Sequence, residues 1–531
     1  MIKLVIIGLD GATFRIIKPL RDEGKLPNLE RLITKGAHGE LESTFPPVTG
    51  PAWTSLATGK NPGKTGVFDS LMRTGEHGFE KKPMSSADVR RAGAYWDYLS
   101  DAGIKVGVVN YPFLYPPYEV NGIMVSGLGS DPKGEIFYPA ELKDLLKREC
   151  GGYRIAVPFN DPKYYNNTSL FVKEIIDLLE INSKTINFLL KSDLEVLTFV
   201  FSVSDLIQHY MWKYIDPSHP YYNKNEAGKY LPAFVEIWQK IDAILGTMLD
   251  VLPKDASIII VSDHGFGPHK SSFYTNSWLE EKGYLFRDRY SRNAQRLINL
   301  ARLLLSKIPF SYSRLSLLPL AKRIKRVRDV LPIDMERSTA FSLVTTSFVG
   351  EIYINKPAMS RHFPGKGIQL LKDEIKQKLQ MTCNSLGLCL KVYSPGDLYS
   401  GQYVNLAPDI LFEIDDFECG IHYGFHSRSF QRPPDNPAHM GNHKREGILI
   451  AYGPDINRGV AIEGARIYDV APTILHICGL SVPADIDGRV LTEVFRPDSE
   501  LAQRQVTYQG VDAEQERIRG KIKKLKASGK L

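Results

Sequence analysis

Strand-length apolar runs alternating with amphipathic helical patterns mark this chain as an α/β protein, with a mostly parallel central sheet covered by helices on both faces. Polar residues recur just past the ends of those runs, where open sheets of this class bind ligands: Asp10 after LVIIGL, Asp205 after FVFSVS, and Asp263-His264 after IIIVS. Between Trp278 and Leu406 the alternation gives way to a different pattern. A chain of 531 residues is too long for one simple core, so this stretch reads as an inserted cap or lid region.

Taken in order, residues 4–9 form an apolar strand that stops at Asp10-Gly11. The block TFPPVTGPAWTSLATGKNPGKTG follows, from Thr44 to Gly66. Pro46-Pro47 favours an extended approach, and Pro51 suits the first position of a helix that runs through Ala52–Ala57 and stops at Gly59. Thr49 then lies just outside a helix N-terminus. It is either a capping residue or a reactive hydroxyl beside an end that attracts phosphate. KVGVVNYPF at 105–113 and LEVLTFVFS at 194–202 read as buried strands, as do SIIIVSDHG at 257–265 and GILIAYGP at 447–454. LKDLLKREC, LFVKEIIDLLEINSKTINFLLK and YLPAFVEIWQKIDAILGTMLDVL supply amphipathic helices between them. The division that results is a core over 1–277, a cap over 278–406, a second part of the core over 407–495 and a charged tail over 496–531. Within it GEIYIN at 350–355 is a cap strand, LLKDEIKQKLQ at 370–380 a cap helix, and APDILFEI at 407–414 the return to the main sheet. Phe341 and Tyr353 in the cap suit either core packing or stacking on a ligand ring, with packing the ordinary role of large aromatics.

The formal net charge of +7 is local in origin. Residues 291–328 hold ten Lys/Arg and no Asp/Glu, which leaves 57 basic against 60 acidic residues elsewhere. Leucines and arginines interleave there at helical spacing. Two readings stay open: a lid helix with a solvated basic face, or a contact with an anionic partner such as a membrane surface. Nothing points to sequence-specific nucleic-acid binding. The apolar runs fall far short of the roughly 20 residues of a membrane span. Met1-Ile2-Lys3 leads straight into the first strand without a signal-peptide layout, so a cytoplasmic location, peripheral to a membrane at most, is expected. The five cysteines are scattered and form no CxxC pair, which argues against a disulfide framework or a cysteine-based zinc site.

Chemistry concentrates in a set of carboxylates and imidazoles. In SDLIQH, Asp205 and His209 are four apart, so one helical turn puts both on one face. In SDHG, Asp263 and His264 sit at a strand end, where a loop can turn both to one centre. His443 in GNHKREGILIAYGP and Asp10 complete three Asp and three His. Each alone is an ordinary cap, turn former or surface residue. Together they suit two divalent ions with mixed N/O shells. Such a pair clamps the attacking and leaving oxygens of a phosphoryl transfer and activates a hydroxyl that is a poor nucleophile by itself.

LVIIGLDGAT, the TGPAWTSLATGKNPGKTG block, SDLIQHYMWKYIDPSHP, VSDHGFGPHK, GNHKREGILIAYGP and the closing YDVAPTILHICGL resemble the alkaline phosphatase superfamily. Within it they resemble the type I phosphodiesterase / nucleotide pyrophosphatase group, and the likeness runs over most of the chain. It implies that Thr49, rather than Thr44, Thr54 or Thr58, is the nucleophile and passes through a threonyl-phosphate intermediate. It implies one metal on Asp205, His209 and His443 and another on Asp10, Asp263 and His264, with the Thr49 oxygen alongside. Zinc is the usual family metal and manganese is compatible with these ligands. The block departs from the family at Ala52 and Thr65, so nucleotide specificity is not implied. The group that holds the phosphate oxygens is open, with Asn61, Lys64 and Lys270 as candidates. The activity implied is that of a metal-dependent phosphodiesterase or pyrophosphatase on a phosphate-ester small molecule, nucleotide or lipid head group. A phosphomonoesterase, a phosphoryl-group transferase and an inactive metal-binding protein are the alternatives.

Overall fold

The computed structural model describes residues 1–510 except 75–79, 132, 160, 165–166, 288–332, 344–347, 363–364, 366 and 435–438. The basic 291–328 segment and the end of the charged tail lie outside the described residues. One large sheet organises the rest. Its order runs Val460–Ala461, Ala37–Glu42, Glu446–Tyr452, Ser257–Val261, Leu4–Leu9, Val196–Phe201, Val106–Tyr111, Gly122–Ser126, Phe137–Tyr138. The five strands from Ser257–Val261 to Gly122–Ser126 pair in parallel, and Glu446–Tyr452 runs antiparallel to both of its neighbours.

The first strand explains why the sheet is buried on both faces. All six residues of LVIIGL are buried. Side chains alternate across a strand, so Val5, Ile7 and Leu9 enter one apolar cluster, while Leu4 and Ile6 enter the cluster on the opposite face. Helices Thr168–Leu189, Val203–Ile215 and Lys224–Val251 cover the first face; Thr49–Thr58, Tyr95–Asp101 and Val470–Ile477 cover the second. No helix among the described residues is long and apolar enough to cross a membrane.

The insertion has a core of its own. Ala340–Phe341, Gly350–Ile354, Ile410–Ile414 and Leu390–Tyr393 form an antiparallel sheet backed by helix Ile368–Ser385. Phe341 and Tyr353 face each other across it with ring centroids 5.8 Å apart, and both are core residues of the cap. One expectation is corrected here. The strand in APDILFEI does not return to the main sheet; it pairs with Gly350–Ile354 and Leu390–Tyr393 in the cap sheet. Its five residues are buried on both faces, so its apolar pattern suited either sheet, and pairing decided. The main sheet is regained only at Glu446.

Candidate active site

Every sequence-predicted ligand lies at one edge of the main sheet, past the carboxyl ends of its parallel strands. Asp10 follows Leu4–Leu9 directly, and Asp263-His264 follow Ser257–Val261. Asp205 and His209 sit one turn apart on helix Val203–Ile215, which starts two residues after strand Val196–Phe201. His443 comes from the far end of the chain. Its short strand Gly441–Lys444 pairs antiparallel with Gly265–Pro268, which sets His443 opposite Phe266.

The donor atoms converge. His443 Nε2 lies 3.0 Å from His209 Nε2 and 3.2 Å from Asp205 Oδ1, and His209 Nε2 lies 3.3 Å from the same oxygen. A tetrahedral zinc with bonds near 2.05 Å has donor–donor edges of about 3.3 Å, so this triangle fits one face of such a shell. His264 Nε2 lies 3.2 Å from Asp263 Oδ2 and 3.5 Å from Asp10 Oδ1. Asp205 is also within reach of Asp10 and His264, so it stands between the two groups.

Two features fit a metal better than a closed polar network. Each of the three imidazoles spends Nδ1 on a main-chain carbonyl: His209 on Gly441, His443 on Pro47 and His264 on Gly265. With Nδ1–H donating, the Nε2 lone pair points into the cluster, as metal-bound histidines require. The second feature is a set of buried donor atoms without a hydrogen-bond partner: Asp10 Oδ1, Asp205 Oδ1, Asp263 Oδ2 and His264 Nε2. Unpaired buried groups of this kind are costly, and divalent cations among them would satisfy all four.

The electrostatics agree. Burial, and then the charges of Asp263 and Asp205, hold the Asp10 carboxyl well above the ordinary range. Burial lifts Asp263 to about 8, against the pull of the Gly11 N–H. Burial also opposes ionisation of Asp205, but His209 and His443 outweigh it and bring its carboxyl well below the usual value. Burial lowers both His264 and His443, so each is a neutral donor. In the metal-stripped protein at neutral pH, a carboxyl of this cluster therefore carries a proton that a divalent ion must displace. Zinc uptake at pH 7 is expected to release protons, and apparent affinity to rise with pH through neutrality, as the raised Asp10 and Asp263 carboxyls ionise. Calorimetry in two buffers of different ionisation enthalpy measures the proton count.

Gly11 holds the first strand end in place. Its φ is +66°, and a Cβ there would lie 2.9 Å from the Phe266 ring. Its N–H donates to Asp263 Oδ1 at 3.1 Å, which turns the other carboxylate oxygen to His264. Gly11→Ala is expected to cost about 1–3 kcal/mol from the left-handed backbone and the crowding, read as a lower urea midpoint.

The threonine block is sorted by its hydrogen bonds. Thr44, Thr54 and Thr58 each give their hydroxyl to a backbone carbonyl, at 2.6, 2.7 and 2.8 Å. Ser55 is fully buried. Thr49 is half-buried and is the first residue of helix Thr49–Thr58. The cap position belongs to Val48, whose side chain bonds nothing, so Thr49 is no capping residue. Pro51 is the third residue of the helix rather than its first, a place where its missing N–H is equally harmless. The block is tied to the ligands at two points. Pro47 O accepts from His443, and Trp53 Nε1 donates to Asp10 Oδ2 at 3.3 Å.

Asn61, Lys64 and Lys270 are committed elsewhere. Asn61 caps a short helix through Gly63 N and bonds Asp487 and Ser400. Lys64 pairs with Asp487 at 2.6 Å, and Lys270 with Glu418 at 2.9 Å. Several contributors had no signal in the sequence. Trp53 is one. Ser204 donates to Asp10 O. Phe348, from the cap, stacks on His443 with centroids 3.8 Å apart, and Phe159 lies parallel to His209 at 5.1 Å. Only spacing beside the ligands, as with Ser204 next to Asp205, offers a hint.

The profile of the type I phosphodiesterase / nucleotide pyrophosphatase family matches residues 4–400. No curated protein sequence matches the chain. Among solved structures, phosphonoacetate hydrolase from Sinorhizobium meliloti 1021 in complex with phosphonoformate is 15% identical, with a TM-score of 0.52 over 88% of this chain and 94% of its own. Its complex with phosphonoacetate gives 14% and 0.53 over the same shares. An inactive murine ectonucleotide pyrophosphatase / phosphodiesterase 5 in complex with AMP is 13% identical, with a TM-score of 0.48 over 93% of this chain and 100% of its own. At 14–15% identity the likeness to the two hydrolase complexes is one of fold, and it agrees with the mostly parallel sheet described above.

Proposed function

This chain belongs to the type I phosphodiesterase / nucleotide pyrophosphatase family and is a phosphoric ester hydrolase of that type, and from that premise we propose that Thr49 attacks phosphorus at a centre of two divalent ions. The observation that carries the reading is the convergence of six Asp and His donors, with all three imidazoles oriented by main-chain carbonyls. Asp205, His209 and His443 would hold one ion; Asp10, Asp263 and His264 would hold the other. Zinc suits the donor set and manganese is compatible with it. When bound, such ions neutralise the phosphoryl oxygens and favour the ionised hydroxyl.

The remaining steps belong to the chain itself. Thr49 Oγ1 forms a bond to phosphorus as the ester oxygen leaves, giving a threonyl-phosphate that water then hydrolyses. Helix Thr49–Thr58 supports the incoming anion at its positive end. Pro51 has no N–H, and Ala52 N already bonds Val48 O at 2.9 Å. The amides of Thr49 and Gly50 are thus left for the phosphate oxygens. Phe348 and Phe159 pack on the imidazoles and keep bulk water from their ring faces. The substrate class proposed is a phosphate-ester small molecule with a nucleotide or lipid head-group-like leaving group.

Hydrolysis of an aryl phosphodiester against the matching monoester, with zinc or manganese and a chelator control, tests the reading. Chelator-sensitive turnover with the diester preferred is expected. Preference for the monoester would make the protein a phosphatase acting through the same threonine.

A further inference from the structure

The cap closes onto the ligand strand through a turn with unusual backbone. Asp415, Asp416 and Phe417 are consecutive non-glycine residues with φ of 52°, 51° and 64°. L-residues adopt this left-handed region at a steric cost, and three in a row persist only where surroundings over-determine them. The residues on either side of His443 hold this turn. Asn442 Nδ2 donates to Phe417 O, and Lys444 Nζ reaches both Asp416 O and, at 2.6 Å, Asp416 Oδ2. Lys444 is 1% exposed. Its stem crosses Gly267 on the paired strand, where a Cβ would sit 2.6 Å from Lys444 Cε.

The turn also reaches the other side of the site. Phe417 packs against Phe45 with ring centroids 6.1 Å apart, and Tyr399 of the cap donates to Phe45 O at 2.7 Å. Two residues past Phe45, Pro47 O receives His443 Nδ1 at 2.8 Å. A closed circuit of contacts results, from His443 through Pro47 and Phe45 to Phe417, and back through Asn442.

We propose that the Asp415–Phe417 turn is a positioning latch, gripped by Asn442 and Lys444, that fixes His443 against the Pro47–Thr49 segment. The cap is then part of the metal centre's scaffold as well as a cover. Asn442 and Lys444 are positioning residues, since they act through His443. This inference rests on the proposed metal site, so its test includes a readout that needs no metal. In Lys444→Met and Asn442→Ser, amide hydrogen exchange in the metal-stripped protein is expected to accelerate selectively over residues 441–444 and 265–268. Zinc affinity, by competition with a chromophoric chelator, is expected to fall about 10-fold, as for other groups that orient metal ligands. Lys444→Arg is expected to restore part of both. Exchange that rises evenly over the whole cap, with zinc affinity unchanged, would make the turn an ordinary structural contact and overturn the proposal. If exchange accelerates locally while the unaltered protein binds no zinc, the latch stands and the metal reading falls.

Discussion

Replacing Thr49 by alanine is expected to lower turnover by at least about 10³-fold while bound zinc stays at the level of the unaltered protein. The reason is the division of labour around the helix start. The six donors come from other segments, and none of their hydrogen bonds passes through the Thr49 hydroxyl. Removing a hydroxyl and a methyl group at a half-buried position leaves the helix, its Val48 cap position and the tie from Pro47 intact. Turnover and metal content therefore separate. Thr49→Ser should keep part of the rate, because the oxygen survives. Unchanged turnover in Thr49→Ala would refute the assigned nucleophile, and zinc lost together with activity would instead make Thr49 a ligand first.

Asp205→Ala should have the largest effect on metal binding. Its Oδ1 lies within 3.3 Å of both His209 Nε2 and His443 Nε2, and it belongs to both groups of converging donors. Its loss removes the carboxylate that balances two imidazoles and, because it also lies within reach of Asp10 and His264, would weaken both proposed sites. Zinc affinity should drop by more than about 100-fold, beyond what outer-shell changes produce, and activity should vanish at low free zinc. Elemental analysis after dialysis reads the first effect, and titration of turnover with added zinc reads the second. A variant that keeps two equivalents of zinc would show that Asp205 is not shared.

Much of this centre was legible because its chemistry needs particular residue types at particular places. Asp10, Asp263 and His264 stand at strand ends, and Asp205 and His209 recur at helical spacing, so a one-dimensional pattern carries their grouping. What was not legible depends on pairing. The apolar run Ile410–Ile414 suits any buried sheet, and only its hydrogen bonds to Gly350–Ile354 assign it to the cap. Lys64 and Lys270 look like free cations in sequence, whereas Asp487 and Glu418 neutralise them in space. Thr49 was readable as a cap because its neighbours favour a helix start. The helix begins one residue earlier than that reading requires, and the cap position passes to Val48. Phe348 reaches His443 from the cap, and no local pattern relates the two.

The pairing of Gly441–Lys444 with Gly265–Pro268 also bears on when the enzyme can come into being. During synthesis the chain emerges from its N-terminus, so Asp10, Asp205, Asp263 and His264 are made long before His443. Until that last short strand docks, Asp205 and His209 lack their third partner. On the proposed assignment, the ion of Asp205, His209 and His443 would find its full donor set only after that strand has docked. An ion bound there would favour the closed arrangement over any opened one, the more so the tighter it binds. The proposed ion would then act as a late seal, formed only in molecules in which the first strand and the His443 strand have both been made.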